Sequence, residues 1–221
     1  MIEIKNLTKN YSIDGQIFKA VDNVSLSVER GEMVSIIGHS GSGKTTLLSL
    51  IGGLTKPDSG QILIDKSDVW SMDDRALSGF RNKKISFIYQ FASLVPTLTA
   101  LENIMLPTAF GTYDTDIRAY AEELINLVGL KEKANAYPSH LSGGQQRRIA
   151  IARAFINRPD TILADEPTGD LDEGTEKEII NLFQSMNEEK KITFLIVTHN
   201  KEIAAQARRH MSMSNGVLSE H

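Results

Sequence analysis

The stretch "MVSIIGHSGSGKTTLLSLIGGL", Met33–Leu54, decides the reading of this chain. It starts with a short apolar run of strand length that ends at Gly38. A glycine-rich loop follows, and "KTTLLSLIGGL" then reads as a helix. The loop, "GHSGSGKT" (Gly38–Thr45), matches G-x-x-x-x-G-K-[ST]. Its position between a strand and a helix is the context that gives the pattern its meaning. Glycines let backbone N–H groups curl around phosphates. Lys44 is then expected at the β- and γ-phosphates of a nucleotide, and the Thr45 hydroxyl at Mg²⁺. Gly38, His39, Ser40, Gly41, Ser42, Gly43, Lys44, Thr45 and Thr46 form the expected phosphate-binding set, with His39 as a spacer. The alternative is a glycine turn that binds nothing, and the Lys-Thr pair in this setting argues against it.

On the N-terminal side, Ile2 and Ile4 alternate with Glu3 and Lys5, and "AVDNVSLSVERGE" alternates before a turn, so an antiparallel β portion is expected there. On the C-terminal side, Pro57–Gly60 reads as a turn, and "QILID" and "KISFIYQ" (Lys84–Gln90) as strands. Residues 91–157 read as a helical block, with "DIRAYAEELINLVGL" stopping near Gly129. "TILADEP" and "ITFLIVTH" are buried strands around the amphipathic helix "TEKEIINLFQSMNEE". Strands alternating with helices imply an α/β fold with a mostly parallel sheet covered on both faces. The expected organisation is one domain over residues 1–221, with a core of about 1–90 and 158–221 and a helical subdomain inserted at about 91–157.

Bulk properties narrow the function. The chain has 221 residues, 41% of them hydrophobic, which supports a packed core. Net charge is -4, without the basic footprint of a protein that grips nucleic-acid phosphates. There is no cysteine, so thiolate metal sites and disulfides are excluded. No leader pattern opens the sequence and no apolar run approaches the ~20 residues of a membrane span. A cytoplasmic chain is expected, reaching a membrane only through a partner.

Two strand ends carry further chemistry. "TILADEP" delivers Asp165 and Glu166 to the carboxyl edge of the sheet, where the phosphate loop also lies. Asp165 is placed to hold Mg²⁺ through a water, and Glu166 to orient or polarise an attacking water. His199 ends a second buried strand at the same edge, within reach of a γ-phosphate; His140, His210 and His221 have no such setting. "LSGGQ" (Leu141–Gln145) opens another helix and has the form of an anion-binding start, but without a lysine.

Together "GHSGSGKT", "LSGGQ", "ILADEP", "LD" and "TH" resemble the nucleotide-binding subunit of ATP-binding cassette (ABC) transporters, over essentially the whole chain. The resemblance implies a P-loop NTPase core that binds ATP and Mg²⁺ and hydrolyses ATP. It implies a second copy of the chain paired head to tail, with Ser142, Gly143, Gly144 and Gln145 of one copy capping the ATP of the other. It places Tyr11 on adenine, Gln90 at Mg²⁺ and the attacking water, and Asp172 in the loop that links the two sites. Thr45, Gln90 and Asp165 become the metal set, and Glu166, His199, Gln90 and Lys44 the catalytic set. One departure is Gly169-Asp170 before Leu171-Asp172, where the family often has Ser-Ala; "QRR" after the signature is a minor variation on a usually Gln-rich run.

"FASLVPTLTALENIMLP" is similar to the macrolide-exporter and lipoprotein-release group of cassettes, as is "ADEPTGDLD", with Asp170 where that group commonly has Asn. That likeness implies a separate membrane permease with a large external domain, docked on apolar residues such as Phe91, Leu94, Val95 and Leu98, and no nucleic acid. The alternatives are an ATPase for a permease-like complex that signals or transmits force, a soluble cassette of DNA repair or translation, and a phosphoryl transferase, for which LSGGQ would have no use.

Overall fold

The computed structural model describes residues 1–111, 116–169 and 171–220, so Asp170 and His221 lie outside the described residues. The chain opens with a hairpin of β1 (Ile2–Ile13) and β2 (Gln16–Val28). Its two turn residues, Asp14 and Gly15, have φ of 51° and 78°, the conformation an Asp-Gly pair accepts and the strand twist requires. β3 (Met33–Ile37) runs into α1 (Lys44–Ile51). β4 (Ser59–Ile64) then pairs antiparallel with β1 and with the short β5 (Ser67–Asp68). The strand order is β2-β1-β4-β5, the antiparallel portion expected at the N-terminus.

α2 (Asp74–Lys84) leads into β6 (Ile85–Ile88). The helical block contains α3 (Ala100–Met105), α4 (Ile117–Leu127) and α5 (Gly143–Phe155), with short 3₁₀ turns between them. The chain continues through β7 (Thr161–Asp165), α6 (Glu173–Lys190), β8 (Thr193–Thr198) and α7 (Lys201–Ala204), and finishes with β9 (Arg209–Ser214) and β10 (Val217–Glu220). The second sheet has the order β10-β9-β3-β8-β7-β6. Its pairs are parallel except for the edge hairpin of β9 and β10.

Burial explains the continuous apolar strands. All six residues of β8 are buried. Phe194 and Ile196 enter one core with α3, α4, α5 and α6, while Leu195 and Val197 enter the other with α1 and the antiparallel sheet. β7 divides the same way, Ile162 and Ala164 to the first core and Leu163 to the second. A strand that feeds two cores has no solvent face, so it reads as an apolar run rather than an alternation. Each such large side chain contributes about 1.5–3 kcal/mol by burial. Phe183 on α6 stacks on Phe194 at 5.1 Å between ring centroids, fastening helix to sheet.

Several expectations need correction. Lys84 closes α2 instead of opening a strand, and β6 ends at Ile88, so Gln90 lies beyond it. Residues 91–99 are not helical. Ser59 and Gly60, expected in a turn, begin β4. α2 carries a capping signal, since the Asp73 carboxylate accepts from the Ala76 N–H at 2.7 Å, but buries only Leu77 and so has almost no apolar stripe.

The irregular run before α3 is held by one side chain. Asn103 is fully buried; its Oδ1 accepts from the Val95 N–H at 2.8 Å, and its Nδ2 donates to the carbonyls of Val95, Leu98 and Thr99. Replacing Asn103 with Ala removes these bonds; the Val95 and Thr99 carbonyls keep the Leu98 and Asn103 N–H donors, but the part-buried Val95 N–H loses its acceptor, at about 2–3 kcal/mol. The Asn103→Ala variant is therefore expected to unfold at a markedly lower urea concentration, followed by circular dichroism.

Candidate active site

The carboxyl ends of β3, β7 and β8 meet at one edge of the parallel sheet, and a cleft of about 730 Å³ opens there. Its walls hold the loop from His39 to Thr46, together with Tyr11, Gln90, Asp165, Glu166 and His199. The structure thus gathers the residues that the sequence placed at the nucleotide, apart from Gly38 beneath the loop and a separate group on the helical side.

The loop is built for an anion. Gly41 and Gly43 have φ of 78° and 105°. Gly43 is the N-cap of α1 and offers no side chain to it, so the first N–H groups of the helix have no cap. A Cβ at Gly43 would lie 2.0 Å from the Ala20 carbonyl oxygen, and one at Gly38 would lie 2.4 Å from that of Met213. The Ser42 hydroxyl is buried in the loop without a hydrogen-bond partner among the described residues, a polar atom whose desolvation a phosphate oxygen would relieve. Lys44 is only 7% exposed, and its Nζ donates to the carbonyls of Gly38 at 2.7 Å and His39 at 3.0 Å.

Across the cleft, the Thr45 hydroxyl donates to Asp165 Oδ2 at 2.7 Å. Burial holds the Asp165 carboxyl above its usual range, and the charge of Glu166 pushes the same way, against the Thr45 hydroxyl and Lys44. A divalent cation would reverse that balance. The oxygen donors of Thr45, Asp165 and Gln90 suit Mg²⁺, which takes few protein ligands and keeps several waters.

Glu166 follows β7 in a left-handed conformation, φ 47°. Its N–H donates to the Val197 carbonyl, which ties the turn to β8. Oε2 accepts from the Thr198 hydroxyl at 2.9 Å, and Oε1 lies 2.9 Å from His199 Nδ1. Thr198 is fully buried and also accepts from the Asn200 N–H. This carboxylate is therefore held in one plane at the mouth of the cleft. Sequence reading missed Thr198, although it stands beside His199 in "IVTHN", because a threonine at a strand end has no distinctive pattern. It also missed Phe18, which pairs with Tyr11 across the hairpin and lines the cleft beside it.

The other group sits elsewhere. Ser142 caps α5 in a reciprocal box: its hydroxyl accepts from the Gln145 N–H, and its own N–H donates to Gln145 Oε1 at 2.9 Å. The box satisfies Gln145 and leaves the N–H groups of Gly143 and Gly144 for an anion. Ser142 and Gly143 are exposed, and Gly143 faces open space. Asp172 caps α6, accepting from the Thr175 N–H at 3.0 Å and the Thr175 hydroxyl at 2.7 Å; the N–H bond above all holds its carboxyl below the usual range. Neither Ser142–Gln145 nor Asp172 lines the cleft of its own chain. Changing Gly43 to Ala should strip the loop of its shape while leaving the sheet intact. Titration with a fluorescent ATP analogue is expected to show binding weakened at least 100-fold, about 2.7 kcal/mol, with unchanged circular dichroism.

Comparison with known proteins agrees with this geometry. The sequence profile of the ABC transporter family matches residues 21–169. The lipoprotein-releasing system ATP-binding protein LolD 2 of Chlorobaculum tepidum is 44% identical over 99% of this chain and 91% of its own length. The macrolide export ATP-binding/permease protein MacB of Rhodopirellula baltica is 42% identical over 100% of this chain, which spans 33% of that larger protein. Among solved structures, a dimeric post-hydrolysis state of the ATP-binding cassette MJ0796 bound to ADP and Pi superposes with a TM-score of 0.93. It is 41% identical, and the match covers 100% of this chain and 98% of that one. A phosphate loop with an uncapped helix start, a fixed glutamate opposite it and a full-length match to cassette ATPases lead to one assignment: this chain belongs to the ABC transporter family.

Proposed function

We propose that two copies of this ATP-hydrolysing chain close head to tail around two ATP molecules and drive a separate permease of the macrolide-export or lipoprotein-release type. One observation carries this reading. The phosphate-loop cleft and the exposed LSGGQ helix start are both formed, yet they are separate in one chain. A second copy brings them together. Relatives supply support, since the cassette of known structure is a dimer and the curated relatives are named for lipoprotein release and macrolide export.

In the proposed cycle, adenine rests on Tyr11, and Gly38–Thr46 hold the phosphates. Mg²⁺ at Thr45, Asp165 and Gln90 would supply charge neutralisation on the phosphate oxygens. Ser142, Gly143 and Gly144 of the partner close over the γ-phosphate with the start of α5. Glu166, fixed by Thr198 and His199, orients a water for in-line attack and takes its proton; the γ-phosphoryl passes to that water and ADP leaves. His199 is half of that fixing and lies where it can also contact the γ-phosphate. No helix among the described residues is long and apolar enough to cross a membrane; the relatives named for lipoprotein release and macrolide export support a place on the cytoplasmic face through the permease.

The permease contact is best placed on a groove of about 620 Å³ lined by Leu54, Phe87, Tyr89, Leu106, Pro107 and Phe110. Of the four residues the sequence favoured, Phe91 is 71% exposed, whereas Leu94 packs against the helical core and Val95 and Leu98 are half-buried. Phe110 is 77% exposed at the groove and belongs to neither hydrophobic core among the described residues.

Two tests follow from this reading. Glu166→Gln should lower turnover at least about 100-fold and leave an ATP-bound dimer that elutes at twice the monomer mass in size-exclusion chromatography. A variant that stays monomeric at saturating ATP rejects the head-to-tail dimer. Affinity purification from detergent-solubilised membranes, read by mass spectrometry, should bring down a permease with few spans and a large external domain. Phe110→Asp should abolish that recovery while the isolated chain keeps its ATPase rate; recovery of soluble partners alone rejects the transport reading.

A further inference from the structure

Arg147 lies on α5 one and a half turns after the Ser142 cap and is only 4% exposed. Its guanidinium reaches away from its own helix to three main-chain carbonyls in two separate segments. One Nη donates to Tyr89; the other donates to Glu166 at 3.0 Å and to Gly169 at 3.2 Å. Each acceptor adjoins a group of the nucleotide cleft or of the dimer contact. Tyr89 precedes Gln90, Glu166 is the water-orienting carboxylate itself, and Gly169 opens the turn to Leu171 and Asp172. A buried guanidinium is costly to desolvate and persists where its fork is well satisfied.

The same turn is tightly specified. Glu166 has a positive φ that non-glycine residues rarely adopt, and its carbonyl accepts from the Gly169 N–H at 3.1 Å as well as from Arg147. A Cβ at Gly169 would stand 3.4 Å from the Arg147 guanidinium. A Cβ at Gly144, in the signature itself, would stand 3.4 Å from the Leu171 side chain. The helix that begins with the signature is thus pinned, within one rigid element, to the backbone that carries Gln90 and Glu166.

We infer that Arg147 is a positioning residue that couples the two ATP sites: engagement of a chain's own signature with the partner's nucleotide sets the Glu166 turn and the Gln90 segment of that same chain. This rests on the head-to-tail reading. In that arrangement α5 touches one ATP through its N-terminus while Arg147 holds the hydrolytic residues for the other. A short, packed helix moves largely as one body, and hydrogen bonds from a planar fork constrain orientation as well.

The test is Arg147→Gln, with Arg147→Lys beside it to keep the charge with less of the fork. Wild-type hydrolysis is expected to rise cooperatively with ATP concentration. In Arg147→Gln, kcat should fall at least tenfold, KM for ATP should stay within twofold, and the Hill coefficient should drop to 1. Arg147→Lys should recover part of kcat and of the cooperativity, and it serves as the reading variant if the glutamine variant does not fold. Dimerisation by ATP in a Glu166→Gln background should be the same with and without the Arg147 change. Wild-type kcat and Hill coefficient in the folded variant overturn the coupling. So does a loss of kcat that follows the loss in melting temperature, or one that comes with failed dimerisation, since either marks a merely structural arginine. Failure of Glu166→Gln alone to dimerise rejects the head-to-tail arrangement instead, which keeps the two results separate.

Discussion

Lys44 sits at the centre of the phosphate loop with its ammonium shielded from water and bonded to two carbonyls of that loop, Gly38 and His39. Around it lie the uncapped N–H groups of α1 and the unpartnered Ser42 hydroxyl. A buried cation surrounded by unsatisfied donors is stable only because the loop is tightly backed, and it is completed by an anion with several oxygens. The backing comes from both sheets. The Ala20 carbonyl of β2 and the Met213 carbonyl of β9 press on Gly43 and Gly38, where no side chain could fit. The antiparallel sheet and the C-terminal hairpin, far apart in sequence, are therefore needed to shape one eight-residue loop.

The opposite wall follows from burial. β7 and β8 bury both faces, so neither can carry a charge until it reaches the sheet edge. Asp165, Glu166 and His199 arrive at the first positions where water or a ligand can meet them. Thr198 is the exception that proves informative: fully buried, it spends its hydroxyl on Glu166. The carboxylate that would orient a water is thereby fixed by the strand end rather than by loop residues.

The parts of this architecture legible in the sequence are those with strong local chemistry. The strand–loop–helix around Lys44, the two continuous apolar strands and the Ser142 helix start each follow from a few adjacent residues. What was not legible depended on tertiary context. α2 buries one leucine and is tied to the rest by polar side chains, Arg81 to the Gly53 carbonyl, Asn82 to that of Pro107 and Lys84 to Asp160, so periodicity could not reveal it. β9 and β10 went unread although the signals are present: Met211 and Met213 alternate with His210, Ser212 and Ser214 in strand period, and Asn215-Gly216, with φ of 47° and 79°, is a strong hairpin signal. The run from Phe91 to Thr99 read as helix because its apolar residues resemble a stripe. Phe91 is exposed and only Leu94 packs on the helical core, in an irregular segment that Asn103 organises from eight residues away. Gln90 was placed at a strand end but lies past it, which matters because a residue beyond the sheet can move with the helical block.

An arginine at 147 brings a charge that must be satisfied in the interior. Its guanidinium is met by main-chain carbonyls of two segments, Tyr89 on one side and Glu166 and Gly169 on the other. A Cβ at Gly169 would lie against that guanidinium, so the turn and the side chain are packed together. The helix that opens at Ser142 is thereby tied by a cation to the turn that carries Glu166, and a planar fork bonded on both sides resists rotation of one segment against the other.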